Sequence, residues 1–109
     1  MTQYNHLSDN QLAFRVRTRD GEVIDPHTMW LKVHLQCGGR KFTAVNDPQG
    51  QSQHCHIDGD AVIVDIPGKA FYKGEIEYMI EIREDSPYFA DGHKNIFPTE
   101  YATTNIEMI

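Results

Sequence analysis

Apolar and polar residues alternate with a period of two along much of this chain. In 74–83, GEIEYMIEIR, the set Ile76, Tyr78, Ile80 and Ile82 alternates with Glu75, Glu77, Met79, Glu81 and Arg83. That pattern predicts a strand with one dry face and one acidic, wet face. In 12–19, LAFRVRTR, Leu12, Phe14, Val16 and Thr18 alternate with Ala13, Arg15, Arg17 and Arg19. In 30–36, WLKVHLQ, Leu31, Val33 and Leu35 alternate with Trp30, Lys32, His34 and Gln36. Val62, Val64 and Ile66 share a face in 60–66, and Ile106 and Met108 do so near the end. The predicted core is Leu12, Phe14, Val16, Leu31, Val33, Leu35, Val62, Val64, Ile66, Ile76, Tyr78, Ile80 and Ile82.

Turn signals punctuate the runs: Asp20-Gly21, Asp25-Pro26, Cys37-Gly38-Gly39, Asn46-Asp47-Pro48, Asp58-Gly59-Asp60 and Pro67-Gly68. Short strands at such spacing predict an all-β antiparallel sandwich, with no segment showing a helical period over three turns. The first ten residues, MTQYNHLSDN, are read as an N-terminal arm with at most a short helix, and 11–109 as a single sandwich domain. After Arg83 the alternation stops. Residues 84–105 are read as a long loop, and loops of that length in small domains are usually functional or mobile.

Composition narrows the picture. Hydrophobic residues at 39% and charged residues at 24% suit an ordinary globular domain. No apolar run is long enough to span a membrane, and the polar start lacks the apolar region of a secretion signal. The net charge is −6, with six Lys/Arg against five Asp/Glu in 1–50 and four against eleven in 51–109. An acidic chain is a poor partner for nucleic acid, whose binding needs clustered cations to release counterions. Arg15, Arg17 and Arg19 form the one basic cluster, and cross-strand pairing with Glu75, Glu77 and Glu81 would account for both rows.

The stretch HCHIDGD, 54–60, is the most suggestive of chemistry. In a strand, His54 and His56 point one way and Cys55 and Ile57 the other. Two histidines at that spacing can chelate zinc or copper, but a structural site needs four ligands. His34, His93 or Asp60 would have to complete it, and nothing in the spacing requires this. A hairpin turning at Asp58-Gly59 accounts for the same residues, because glycine accepts the positive φ of a tight turn. No metal, cofactor or catalytic residue is therefore assigned. Alternation keeps Cys55 from forming a dyad with its histidine neighbours, and Glu75, Glu77 and Glu81 read as a solvated row. No P-loop, GxGxxG or HExxH is present. With two cysteines, Cys37 and Cys55, buried thiols are favoured over a bridge.

Trp30, Tyr88, Phe89 and Tyr101 are the candidate interface residues, since exposed aromatics mark protein contacts or sugar platforms. Phe97 belongs to the same stretch, and capping of the core is the alternative role for Phe97 and Tyr101.

One larger pattern carries a resemblance. FRVRTRDGEVID leads through a Pro-containing turn to WLKVHL. DAVIVDIP and the linker KAFYKG then lead into EIEYMIEIRED, and TNIEMI closes the chain. Over roughly 11–109 this resembles the small immunoglobulin-like domain at the N-terminus of phage baseplate upper proteins and related tail-fibre proteins. Short proteins of prophages and mobile elements in gut bacteria look similar. The resemblance implies an immunoglobulin-like sandwich of six to eight strands with a non-enzymatic structural role. It implies protein partners, as a homo-oligomer or among phage subunits, in the virion or in the bacterial cytoplasm before assembly. It brings no catalytic residues. The alternative expectation is a carbohydrate- or ligand-binding sandwich that uses the exposed aromatics.

Overall fold

The computed structural model describes residues 1–109 as nine strands in two sheets, with one 3₁₀ turn at Pro26–Thr28. The strands are β1 (Thr2–Tyr4), β2 (Asn10–Phe14), β3 (Trp30–Cys37), β4 (Arg40–Asn46), β5 (Cys55–Asp58), β6 (Ala61–Ile66), β7 (Gly74–Asp85), β8 (His93–Ile96) and β9 (Ala102–Met108). The larger sheet runs β1-β9-β7-β3-β4, with β8 added to β7. The smaller runs β2-β6-β5.

The all-β, two-sheet expectation holds, with three differences. There are nine strands, more than the six to eight expected. β1 pairs with β9 in parallel, so the larger sheet is mixed rather than antiparallel, and part of the expected N-terminal arm belongs to a sheet. The stretch 84–105 is not one loop. β7 continues to Asp85 and β8 folds back on it, pairing Ile82 with Ile96 and Asp85 with His93. A five-residue connection then leads to β9.

The core lies between the sheets. Leu12, Leu31, Val33, Leu35, Val62, Val64, Ile66 and Ile76 are buried, as the alternation requires. Phe14, Val16, Tyr78, Ile80 and Ile82, also on the dry faces, are half-buried. The predicted core lacked Phe71, which is 1% exposed and meets Phe42 edge-on from the turn between β6 and β7. It also lacked the strand β4, whose inner face carries Phe42, Ala44 and Asn46.

Asn46 is 3% exposed, yet its Nδ2 donates to the carbonyls of Pro26 and Met29 at 2.8 and 2.9 Å. It thereby ties the 3₁₀ turn to the sheet, and its own polarity is satisfied in the core. Asp25 caps that turn by accepting from the His27 N–H at 2.9 Å.

The sheets join at one corner, where Val45 bridges Gln53. On the opposite side β2 pairs only with β6 and leaves its outer edge open. The molecule is elongated, at 45 × 29 × 28 Å, and its radius of gyration of 14.5 Å exceeds the ~13 Å expected for a compact chain of this length.

Candidate functional site

HCHIDGD folds as strand, turn, strand, with the turn one residue later than expected. Asp58 pairs with Ala61, so Gly59 and Asp60 make the two-residue loop, Gly59 at φ 61°. His54 lies outside β5, at φ 58°, where its ring contacts Phe42 at 5.1 Å. His56 is on the strand, its Nδ1 2.8 Å from Asp65 Oδ2. The expected histidine pair on one face is therefore absent, because the strand starts one residue too late. No group of three or more His, Cys, Asp or Glu is placed to hold a metal ion.

Asp65 also accepts from Gln11 Nε2 at 2.8 Å. Partial burial acts to raise its carboxyl, but the hydrogen bonds from Gln11 and His56 and the charge of His56 outweigh it and hold it below the usual range.

Both cysteines are free. Cys37 Sγ lies 3.3 Å from the Tyr72 carbonyl, and burial pushes its thiol up. Cys55 Sγ lies 3.0 Å from the Val45 carbonyl. Burial pushes this thiol up too, and the Asp65 charge adds to the shift, against a backbone bond from Gln53. Neither is prepared as a nucleophile, which needs an accessible thiolate.

The Arg and Glu rows do not meet. Regular pairing of β2 stops at Phe14, and β2 lies in the smaller sheet while β7 is in the larger. Arg15 pairs instead with Asp60 at 2.8 Å, and Arg17 donates to the Gly21 carbonyl at 3.0 Å. Glu75 accepts from Thr103, and Glu77 from Gln36 at 3.2 Å.

Glu81 departs furthest from the expected wet face. It is 7% exposed, with His34 Nε2 3.2 Å from its Oε1. Phe97 lies 6.0 Å from the His34 ring, and the connection that carries Phe97 runs beside this part of β7.

The same outer face carries Trp30, directly opposite Arg83. The guanidinium lies 3.9 Å from the Trp30 ring centroid, and Arg83 Nε donates to Asn95 Oδ1 at 3.1 Å. Trp30 is therefore half-buried under a cation rather than bare. A cleft of about 450 Å³ adjoins it, lined among others by Asp47, Gln49, Asp85 and His93. His93 Nδ1 is 3.3 Å from Asp85 Oδ1 and has no well-directed hydrogen bond.

Beyond the cleft stands the β7–β8 hairpin. Ser86 N–H donates to the Gly92 carbonyl at 2.9 Å, and Gly92 N–H to the Phe89 carbonyl at 2.9 Å. Gly92 sits at φ 77°, and Asp91 Oδ1 accepts from the His93 N–H at 3.0 Å. These bonds close a seven-residue loop with its aromatics turned outward. Tyr88 is 92% exposed and Phe89 50%, with Ile96 at 37% and Phe97 at 54% on the returning side. Tyr101, the remaining candidate, is half-buried just before β9. Trp30 and Tyr101 thus lie at the base of this region, with Tyr88 and Phe89 at its tip. Ile96 was missed from the sequence. Its only signal was its place beside Phe97, in a segment with no alternation.

Comparison with family models, curated proteins and solved structures returns no match to this chain.

Proposed function

We propose that this chain is an immunoglobulin-like, non-enzymatic assembly module of phage-tail type, acting through protein–protein contacts as a homo-oligomer or beside other tail subunits. The fold part of this reading is supported by strand order. Taking β2, β3, β4, β5, β6, β7 and β9 as strands B, C, C′, D, E, F and G, the smaller sheet reads B-E-D and the larger G-F-C-C′. The phage-tail setting rests on the sequence resemblance alone. It would place the protein in the virion, or in the bacterial cytoplasm before assembly.

One observation carries the contact-making part: the hairpin exposes four large apolar side chains beside a β8 strand whose outer edge is open. Unpaired edges and exposed apolar clusters on small domains mark surfaces that partners cover. The 15–29, 47–54 and 86–101 connections also gather at this end of the sandwich, the end that variable immunoglobulin domains use for binding.

The test has two arms. Light scattering across a hundredfold concentration range is expected to show a closed oligomer. A photo-crosslinking residue at Tyr88, in producing cells, is expected to give a discrete adduct with the chain itself or with a single partner. A monomer at every concentration together with no adduct would overturn the reading.

A further inference from the structure

The β7–β8 hairpin fixes which backbone groups of β8 face outward. Ser86 N–H donates to the Gly92 carbonyl at 2.9 Å, so that pair is a hydrogen-bonded one. Bonded and non-bonded pairs alternate along an antiparallel ladder. Lys94 and Ile96 therefore turn their N–H and C=O groups toward β7, and His93 and Asn95 turn theirs away. The outward His93 N–H is already taken, by Asp91 Oδ1 at 3.0 Å. The Asn95 N–H and the carbonyls of His93 and Asn95 are left on an open edge. The Asn95 side chain, held by Arg83 Nε, stays on the outer face of the sheet.

We propose that this edge pairs with β8 of a second copy, antiparallel about a two-fold axis at Asn95. The inference rests on the assembly reading above and gives it a symmetry and a register. An axis perpendicular to the sheet keeps the two outer faces together, so residues opposite each other must share a face. Asn95 opposite Asn95 meets this condition. It also consumes, reciprocally, the N–H and the carbonyl that each copy leaves free. The neighbouring registers do worse. Lys94 opposite Lys94 sets two ammonium groups face to face, and it needs the His93 N–H that Asp91 already holds. Ile96 opposite Ile96 makes every bond with Phe97, which lies beyond the end of β8.

The favoured register also covers what the hairpin exposes. It places His93 of one copy opposite Phe97 of the other, so the tip of each runs beside the 97–101 connection of its mate. Tyr88 and Phe89 thus approach Phe97 across the contact. Lys94, the kind of edge residue that guards against pairing, lies opposite Ile96, where its stem packs and its charge stays in water. Three aromatic side chains per copy, of roughly 150–250 Å² each when bare, are between half and nine-tenths exposed. Two copies together therefore bring close to the ~1,000 Å² of a specific interface. The contact is isologous and closes at two.

Single cysteines test the register. Directly opposite residues of a bonded pair have Cα atoms about 5.5 Å apart, within disulfide reach, whereas diagonal ones lie about 7–8 Å apart. Asn95→Cys is expected to give a covalent dimer on oxidation with diamide, and Lys94→Cys and Ile96→Cys to do so at least about tenfold more slowly. The wild type, with both native thiols out of reach, is the blank. Amide exchange of the wild type needs no substitution, and the Asn95 N–H is expected to exchange more slowly as concentration rises. Equal crosslinking at the three positions, or a preference for 94 or 96, overturns the pairing. No crosslink and no protection, in a protein that light scattering shows to be oligomeric, overturns the pairing and leaves the assembly reading standing on another surface. The same result in a protein that stays monomeric overturns the pairing too, and the Tyr88 crosslink then decides between a foreign partner and failure of the assembly reading.

Discussion

At the scale of single residues, position in the fold outweighs residue type. Gly38 and Gly39 form the two-residue turn between β3 and β4, with φ of 59° and 82°. A Cβ on Gly38 would lie 2.6 Å from Tyr72 Cβ and 2.8 Å from the Lys73 carbonyl oxygen, whereas one on Gly39 meets nothing within 4 Å. Gly38→Ala is expected to cost more than about 2 kcal/mol, from backbone strain plus overlap, and Gly39→Ala only about 1 kcal/mol. Urea denaturation midpoints check the difference, and equal losses would mean that Tyr72 yields.

Asp65 gives the fold a pH dependence of known sign. Its carboxyl is held below the usual range, so the unfolded chain binds a proton that the folded chain refuses. The stability it contributes is complete above the unfolded value of about 4 and is lost as pH falls through the folded one. Asp65→Asn should therefore flatten the acid limb of the stability profile, measured by urea melts between pH 5 and 2.5. An unchanged limb would assign the acid loss to other carboxylates. The Gly-Gly turn and the Asp-Gly hairpin were legible in the sequence because their chemistry is local. The burial of Glu81 was not, because its side-chain partner, His34, lies on another strand, 47 residues away in the chain.

At the scale of elements, legibility followed alternation. β3, β6 and β7 show it cleanly. β4 escaped because its inner face reads Phe42, Ala44, Asn46: one bulky residue, one small, one polar, buried only through bonds to a distant turn. β8, HKNI, lacks any pattern and exists because its loop closes onto the end of β7. β9 carries an irregularity. Glu75 pairs with Glu107 but Glu77 with Thr103, so β9 spends two extra residues there, and Asn105 sits at φ 57°. Two hydroxyls bond within this bulge, and that of Thr103 accepts from the Asn105 N–H at 3.0 Å. Thr104 Oγ1 donates to the Ile76 carbonyl at 2.7 Å and accepts from the Ile106 N–H at 3.1 Å. Thr104→Val keeps the shape and leaves both backbone groups unpaired, so a loss of about 1–3 kcal/mol is expected. Thr104→Ser should stay within about 0.5 kcal/mol of the wild type. Thermal melts of the three proteins decide, and a neutral valine variant would show that water replaces the hydroxyl.

At the scale of the whole molecule, charge and apolar surface act in opposite directions on assembly. Each copy carries −6, so copies repel as they approach, over a range of about 30 Å at 0.01 M salt and about 8 Å at 0.15 M. The side chains that the hairpin exposes, Tyr88, Phe89, Ile96 and Phe97, are uncharged, so for a contact made through them screening removes much repulsion and little attraction. Association is therefore expected to strengthen as salt rises from about 0.01 to 0.15 M and then level off, because beyond that point little repulsion remains to be screened. Sedimentation at fixed protein concentration and stepped ionic strength measures this directly. A mass that falls with added salt would mean that charged groups hold the contact and that the hairpin's exposed rings contribute little to it.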